Sequence, residues 1–112
     1  MARLPNCDRA ILDIRKIEDY CLNPAHPRGR HKARLFRECL GITRSDSAWL
    51  RDVLMDAVRF NDAVEVATDA FGKRWRVDAP VSRHGNRIVI RTVWIVRTGE
   101  DAPRFVTCWA LR

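Results

Sequence analysis

With 112 residues, 46% of them apolar and 31% charged, the chain has room for one hydrophobic core, which excludes a multidomain machine and sets a single domain over residues 1–112. The 21 Lys and Arg against 14 Asp and Glu leave a net charge of +7, carried mostly by arginine, and point to a polyanionic partner. RNA or DNA comes before a membrane surface, because no basic amphipathic helix stands out and no run of about 18 apolar residues exists to span a bilayer. The plainer alternative is a basic protein that is merely soluble or is neutralised by an acidic protein.

The start, Met1–Cys7, holds no apolar run of secretory-signal length, and a cytoplasmic location is expected. Cys7, Cys21, Cys39 and Cys108 never form a C-x-x-C pair, so zinc is disfavoured and the thiols are expected reduced and mostly buried. Arg9–Asp13 reads as a short extended lead-in. Asp13 is placed to cap a helix running through Leu22, with Ile14, Ile17, Cys21 and Tyr20 inward, and Pro24 stops it. A second helix, Gly29–Leu40, places Ala33, Phe36 and Leu40 on one side and ends at Gly41. Ser45 or Ser47 caps a third helix that runs to Phe60, where Leu50, Val53, Leu54, Ala57 and Val58 repeat at helical spacing.

From Ala63 the period changes to two. Val64, Val66 and Thr68 alternate with polar neighbours, and a turn at Asp69–Gly72 leads to a strand over Lys73–Pro80. A turn at His84–Asn86, a long strand over Arg87–Arg97, a loop over Thr98–Pro103 and a last strand over Arg104–Leu111 follow. The fold class is therefore α+β: three N-terminal helices followed by a four-stranded antiparallel β-sheet. A symmetric last loop would pair Trp94 with Thr107 and Thr92 with Trp109, leaving Arg91 on the other face within reach of Arg76 and Asp78. Which face covers the helices stays open, since a one-residue slip exchanges them.

The segment Asn23–Phe36 draws attention for its charge. Arg28, Arg30, His31 and Lys32 crowd the start of the second helix, where the dipole disfavours cations. A cluster there fits a site that receives an anion such as phosphate.

The block Leu22-Asn23-Pro24-x-His26-Pro27-x-Gly29-x-His31-Lys32-Ala33-Arg34-x-Phe36 resembles a bacterial domain family of unknown function. The similarity continues through Trp75-x-Val77-Asp78, Arg91-x-x-Trp94-Ile95-Val96 and Val106-Thr107-Cys108, and so spans nearly the whole chain. More broadly, helices followed by a four-stranded antiparallel sheet look like the barnase, colicin and RelE-like ribonuclease toxins, a likeness of architecture only. It implies a small toxin-type endoribonuclease with RNA as substrate, and an acidic antitoxin or immunity protein to cover the basic face.

Metal-free RNA cleavage needs a base for the 2′-OH, cations around the phosphate and an acid for the leaving oxygen. The catalytic candidates are His31 as base, Lys32 and Arg91 as cations, and Thr107 as a hydrogen-bonding partner. Arg28, Arg30, Arg34 and Arg76 are the nucleic-acid-binding candidates. No dense acidic cluster suited to Mg²⁺ exists in the sequence, so no metal and no other cofactor is expected.

Each residue also has a plainer role. His31 reads equally as a surface or capping histidine, His26 as a loop fastener and His84 as a turn residue. Arg91 is also placed to pair with Asp78, and Thr107 to satisfy β-propensity alone. Trp75, Trp94 and Trp109 read as core, with one exposed ring free to stack on a base. Two further functions fit the same charge: a nucleic-acid-binding module without turnover, and a protein-interaction domain whose basic surface meets an acidic protein.

Overall fold

The computed structural model describes residues 2–111; the expected domain limits, Met1 and Arg112, lie outside the described residues. In it the chain is α+β. Helical segments come first, and β1 (Ala63–Asp69), β2 (Gly72–Arg83), β3 (Asn86–Arg97) and β4 (Arg104–Leu111) form one antiparallel sheet in the order β1-β2-β3-β4. Tight turns impose that order. His84 and Gly85, with φ of 50° and 81°, make a two-residue hairpin that carries β2 three residues past the expected end at Pro80.

The first expected helix widens into a π turn over Ile17–Cys21, in which the Leu22 N–H donates to the Ile17 carbonyl at 2.8 Å. The wider turn lets Leu22 share a face with Ile17 and Cys21, and all three are buried. A regular α-helix would swing the residue five positions on away from that face. Helix α1 (Arg30–Leu40) ends at Gly41, whose φ of 66° suits glycine, and buries Ala33, Phe36 and Leu40. Helix α2 (Ser47–Phe60) is led in by a 3₁₀ turn over Arg44–Asp46. The reciprocal capping box of Thr43 and Asp46 closes that 3₁₀ turn, and neither Ser45 nor Ser47 caps α2: Asp46 holds the N-cap place, and Ser47, the first residue of the helix, donates from Oγ to the Arg44 carbonyl at 2.6 Å.

The sheet faces are now settled. Val77, Ala79, Ile90, Thr92, Trp94, Cys108 and Ala110 are buried under the helices. Thr92 survives there because its hydroxyl donates to the Val77 carbonyl at 2.6 Å and accepts the Trp94 indole N–H at 2.9 Å. Arg76, Asp78, Arg91, Val93, Thr107 and Trp109 occupy the other face.

The symmetric pairing of the last hairpin does not occur. Val93 pairs with Thr107, Thr92 with Cys108 and Arg91 with Trp109, because the register shifts between Val93 and Trp94. A bulge at Val106 is the cause: Phe105 and Cys108 lie three residues apart, yet both are buried, which strict alternation forbids.

Candidate functional site

The site lies along β4, an edge strand of the sheet, where the π turn and α1 pack against it. Two local features deliver the groups. The π turn presents Tyr20 and Cys21, and the bulge turns Thr107 outward at the edge. Lys32, in the first turn of α1, donates from Nζ to Thr107 Oγ1 at 2.9 Å and to the Tyr20 hydroxyl at 3.2 Å. The same ammonium stands 4.7 Å from the Tyr20 ring centre and 5.3 Å from that of Trp109. Two aromatic rings and two hydroxyls thus hold one cation in place without a carboxylate to neutralise it among the described residues.

Beneath Thr107, Cys21 Sγ approaches Oγ1 at 3.8 Å. A hydrogen bond with the Cys108 thiol, helped by the Cys108 backbone, the Thr107 hydroxyl and the Lys32 charge, brings the Cys21 thiol down to about 7 although burial opposes it. Burial, and then the neighbouring Cys21, pushes Cys108 well above the ordinary thiol range.

Across the sheet from Trp109, Arg91 forms a two-pronged pair with Asp78, at 2.9 and 3.0 Å. The Arg91 hydrogen bond holds the Asp78 carboxyl below its usual range, and the charges of Arg91 and Arg76 add to it. Asp78 is thus an ion-pair anchor and stays ionised at neutral pH. Arg76 lies 3.9 Å from the same carboxylate. Lys32, Thr107, Trp109, Arg91 and Arg76 therefore make one continuous cationic track on the outer face.

His31 does not join that track. It is exposed and lines a separate groove with Arg30 and Arg34. Arg28 is exposed in the preceding loop. His26 fastens the approach to α1: its Nδ1 accepts the N–H groups of Arg28 and Gly29, each at 3.0 Å, and its carbonyl accepts that of Arg30, also at 3.0 Å.

Tyr20, Cys21 and Trp109 are the members of the track that sequence reasoning left among core residues. The spacing of Tyr20 to Cys21 carries no signal for a π turn, and Trp109 reads as core with Trp75 and Trp94 while the faces of the sheet stay open. No group of three or more His, Cys, Asp or Glu side chains is arranged to hold a metal ion among the described residues. No helix among the described residues is long and apolar enough to cross a membrane.

Helical segments laid over one face of a four-stranded antiparallel sheet, with a cationic edge at β4, define a small α+β domain of a kind already seen in a solved complex. A chain of the contact-dependent growth inhibition toxin–immunity protein complex from Klebsiella pneumoniae 342 superimposes with a TM-score of 0.70, is 18% identical, and the match covers 90% of this chain and 99% of that one. At that identity the likeness is one of fold. Residues 3–112 match the family described as Domain of unknown function (DUF6883), and the chain belongs to that family. No curated protein matches it.

Proposed function

We propose that the chain is a toxin-type endoribonuclease acting on RNA in the cytoplasm, and that the scissile phosphate binds along β4 between Lys32 and Arg91. The observation that carries this reading is the Lys32 ammonium, fixed at 2.9 Å from Thr107 Oγ1 between the Tyr20 and Trp109 rings with no carboxylate partner among the described residues. The shared fold with a chain of a toxin–immunity complex and the net charge of +7 support it.

The chemistry is in-line attack of the 2′-oxygen on phosphorus, with the bond to the 5′-oxygen breaking to leave a 2′,3′-cyclic phosphate and a 5′-hydroxyl. Charge builds on the non-bridging oxygens, and Lys32 and Arg91 are placed to stabilise it. Thr107 keeps the ammonium aimed. The Tyr20 hydroxyl, hydrogen-bonded to Lys32, has a proton to give the leaving 5′-oxygen, while the 2′-OH proton passes to solvent. Trp109 offers a ring on which a neighbouring base stacks. His31, first expected as the base, is assigned to binding instead. An acidic immunity-type protein is the proposed partner that covers this basic face.

The test is incubation of the purified protein with RNA in EDTA, beside Lys32→Ala, Tyr20→Phe and His31→Ala. Cleavage by the wild type, with a loss of about 100-fold or more in Lys32→Ala and a smaller loss in His31→Ala, is expected. RNA binding without cleavage across several RNA classes would favour the non-catalytic binding module, which the same charge track also fits.

A further inference from the structure

The groove beside α1 is a concavity apart from the β4 edge. It measures about 810 Å³. Its floor is apolar, formed by Leu22, Ala33 and Ile42, and its rim carries Arg30, His31, Arg34, Arg37 and Arg44. No carboxylate lines it.

The helix explains the arrangement. Arg30, Arg34 and Arg37 recur at i, i+4 and i+7 and form one stripe, while Lys32 flanks the buried face of α1 on its opposite side. Little of the rim's charge is used within the protein. Arg44 is committed, to Asp19 at 2.7 Å and the Glu18 carbonyl at 2.9 Å. Arg34 reaches Glu38 only at 3.9 Å, and Arg30 and Arg37 make no ion pair among the described residues. Holding like charges around an apolar hollow opposes folding unless an anion enters.

Two anions could do so, a nucleic-acid strand or an acidic protein segment. The geometry favours the strand. His31 sits on α1 between the arginine stripe and Lys32, and Arg28 and Arg30 stand at the helix start, so basic side chains follow one another around the first turn of α1 from the groove toward Lys32. A ligand with one negative charge per residue and a flexible backbone matches a track of that form.

We infer that this groove is a second phosphate subsite, which holds the backbone of single-stranded RNA a few nucleotides from the Lys32 edge. Phosphates meet Arg30, His31, Arg34 and Arg37, and the ribose or base rests on Pro24 and Ala25, which line the groove and are exposed. The inference rests on the nuclease reading for its polarity and register, and it is testable apart from that reading.

The probe is a 2′-O-methyl RNA of about 12 nucleotides, which lacks the attacking hydroxyl and so reports binding alone. Fluorescence anisotropy across a salt series compares the wild type with Arg30→Gln/Arg34→Gln/Arg37→Gln, whose side chains are exposed, and urea unfolding verifies that the fold is kept. The expected result is affinity about tenfold or more weaker and a salt slope smaller by about 2, near 0.7 per lost phosphate contact on a single strand. On cleavable RNA the triple variant should raise KM with kcat unchanged and leave a dinucleotide substrate unaffected, whereas Lys32→Ala should lose turnover and weaken the anisotropy affinity by no more than one phosphate contact, with a salt slope smaller by about 0.7.

Unchanged affinity and slope in the triple variant overturn the subsite, whether or not the wild type cleaves RNA. Unchanged RNA binding with lost binding of polyglutamate overturns it in favour of an acidic protein segment. Weakened binding and slope in a protein that never cleaves leave the groove standing and remove the nuclease reading alone.

Discussion

Gly29 sets the spacing between the π turn and α1. Its φ of −84° and ψ of −17° are open to any residue, so backbone freedom is not what it supplies. It supplies room: a Cβ at this position would strike the Tyr20 backbone carbonyl. Gly29→Ala should therefore cost about 1–3 kcal/mol, read from urea unfolding, and should lower cleavage more than RNA binding because Tyr20 moves off Lys32. Cys21 gives a second prediction at the same scale. Its thiol ionises at about 7 in the fold, against 9.0 for an ordinary cysteine. The stabilisation it contributes is complete above that ordinary value and disappears as pH falls through 7. The urea midpoint of the wild type should rise between pH 7 and 9 relative to Cys21→Ala, and parallel pH curves for the two proteins would refute the shift. None of this was legible in the sequence. Cysteines at positions 21 and 108 carry no sign that they meet, and a glycine between Arg28 and Arg30 reads as a plain loop residue.

At the scale of elements, the bulge in β4 decides what the edge presents. Val106 is the extra residue that lets Phe105 and Cys108 both face the core while Thr107 turns out to Lys32. Deleting Val106 would leave Phe105 and Cys108 two residues apart, where plain alternation keeps both inward and Thr107 outward, so the core survives. The expected outcome is a Tm close to that of the wild type, with Lys32-dependent cleavage reduced because the edge loses the extra twist of the bulge. The strands themselves were legible because the period switches to two at Ala63, and α2 because Leu50, Leu54 and Val58 repeat at helical spacing. The bulge was not. A single inserted residue leaves composition unchanged and shows only in pairing, which is why the expected partners were displaced by one. The π turn was hidden for a related reason, since Ile17 and Cys21 suit an ordinary helix and only the burial of Leu22 reveals the wider turn.

Across the whole molecule, neighbours in sequence need not share a site. His31 and Lys32 are adjacent residues, yet one lines the arginine groove and the other grips β4. The sequence showed a cationic helix start but not that the helix divides it. The same excess charge makes a prediction about acid. Arg15 holds Asp13 down to about 2, the Arg91 hydrogen bond lowers Asp78, the Arg104 hydrogen bond lowers Glu100, and the backbone N–H groups of Thr43 and Phe71 lower Asp46 and Asp69. Each carboxylate favours the fold above its ordinary value, from 3.8 for Asp to 4.5 for Glu, and loses that contribution as pH falls through its lowered one. Protonation also uncovers more of a charge that already stands at +7 at neutral pH, so repulsion among arginines grows as the pairs dissolve. Thermal unfolding followed by circular dichroism should therefore show a Tm that is flat near neutrality and falls steeply below about pH 4, with added salt recovering part of the loss by screening the repulsion. Asp78→Asn should begin from a lower Tm and fall less over the same range, because the pair that the acid would have broken is already gone. A Tm independent of pH down to 2 would mean that these ion pairs contribute nothing to the fold.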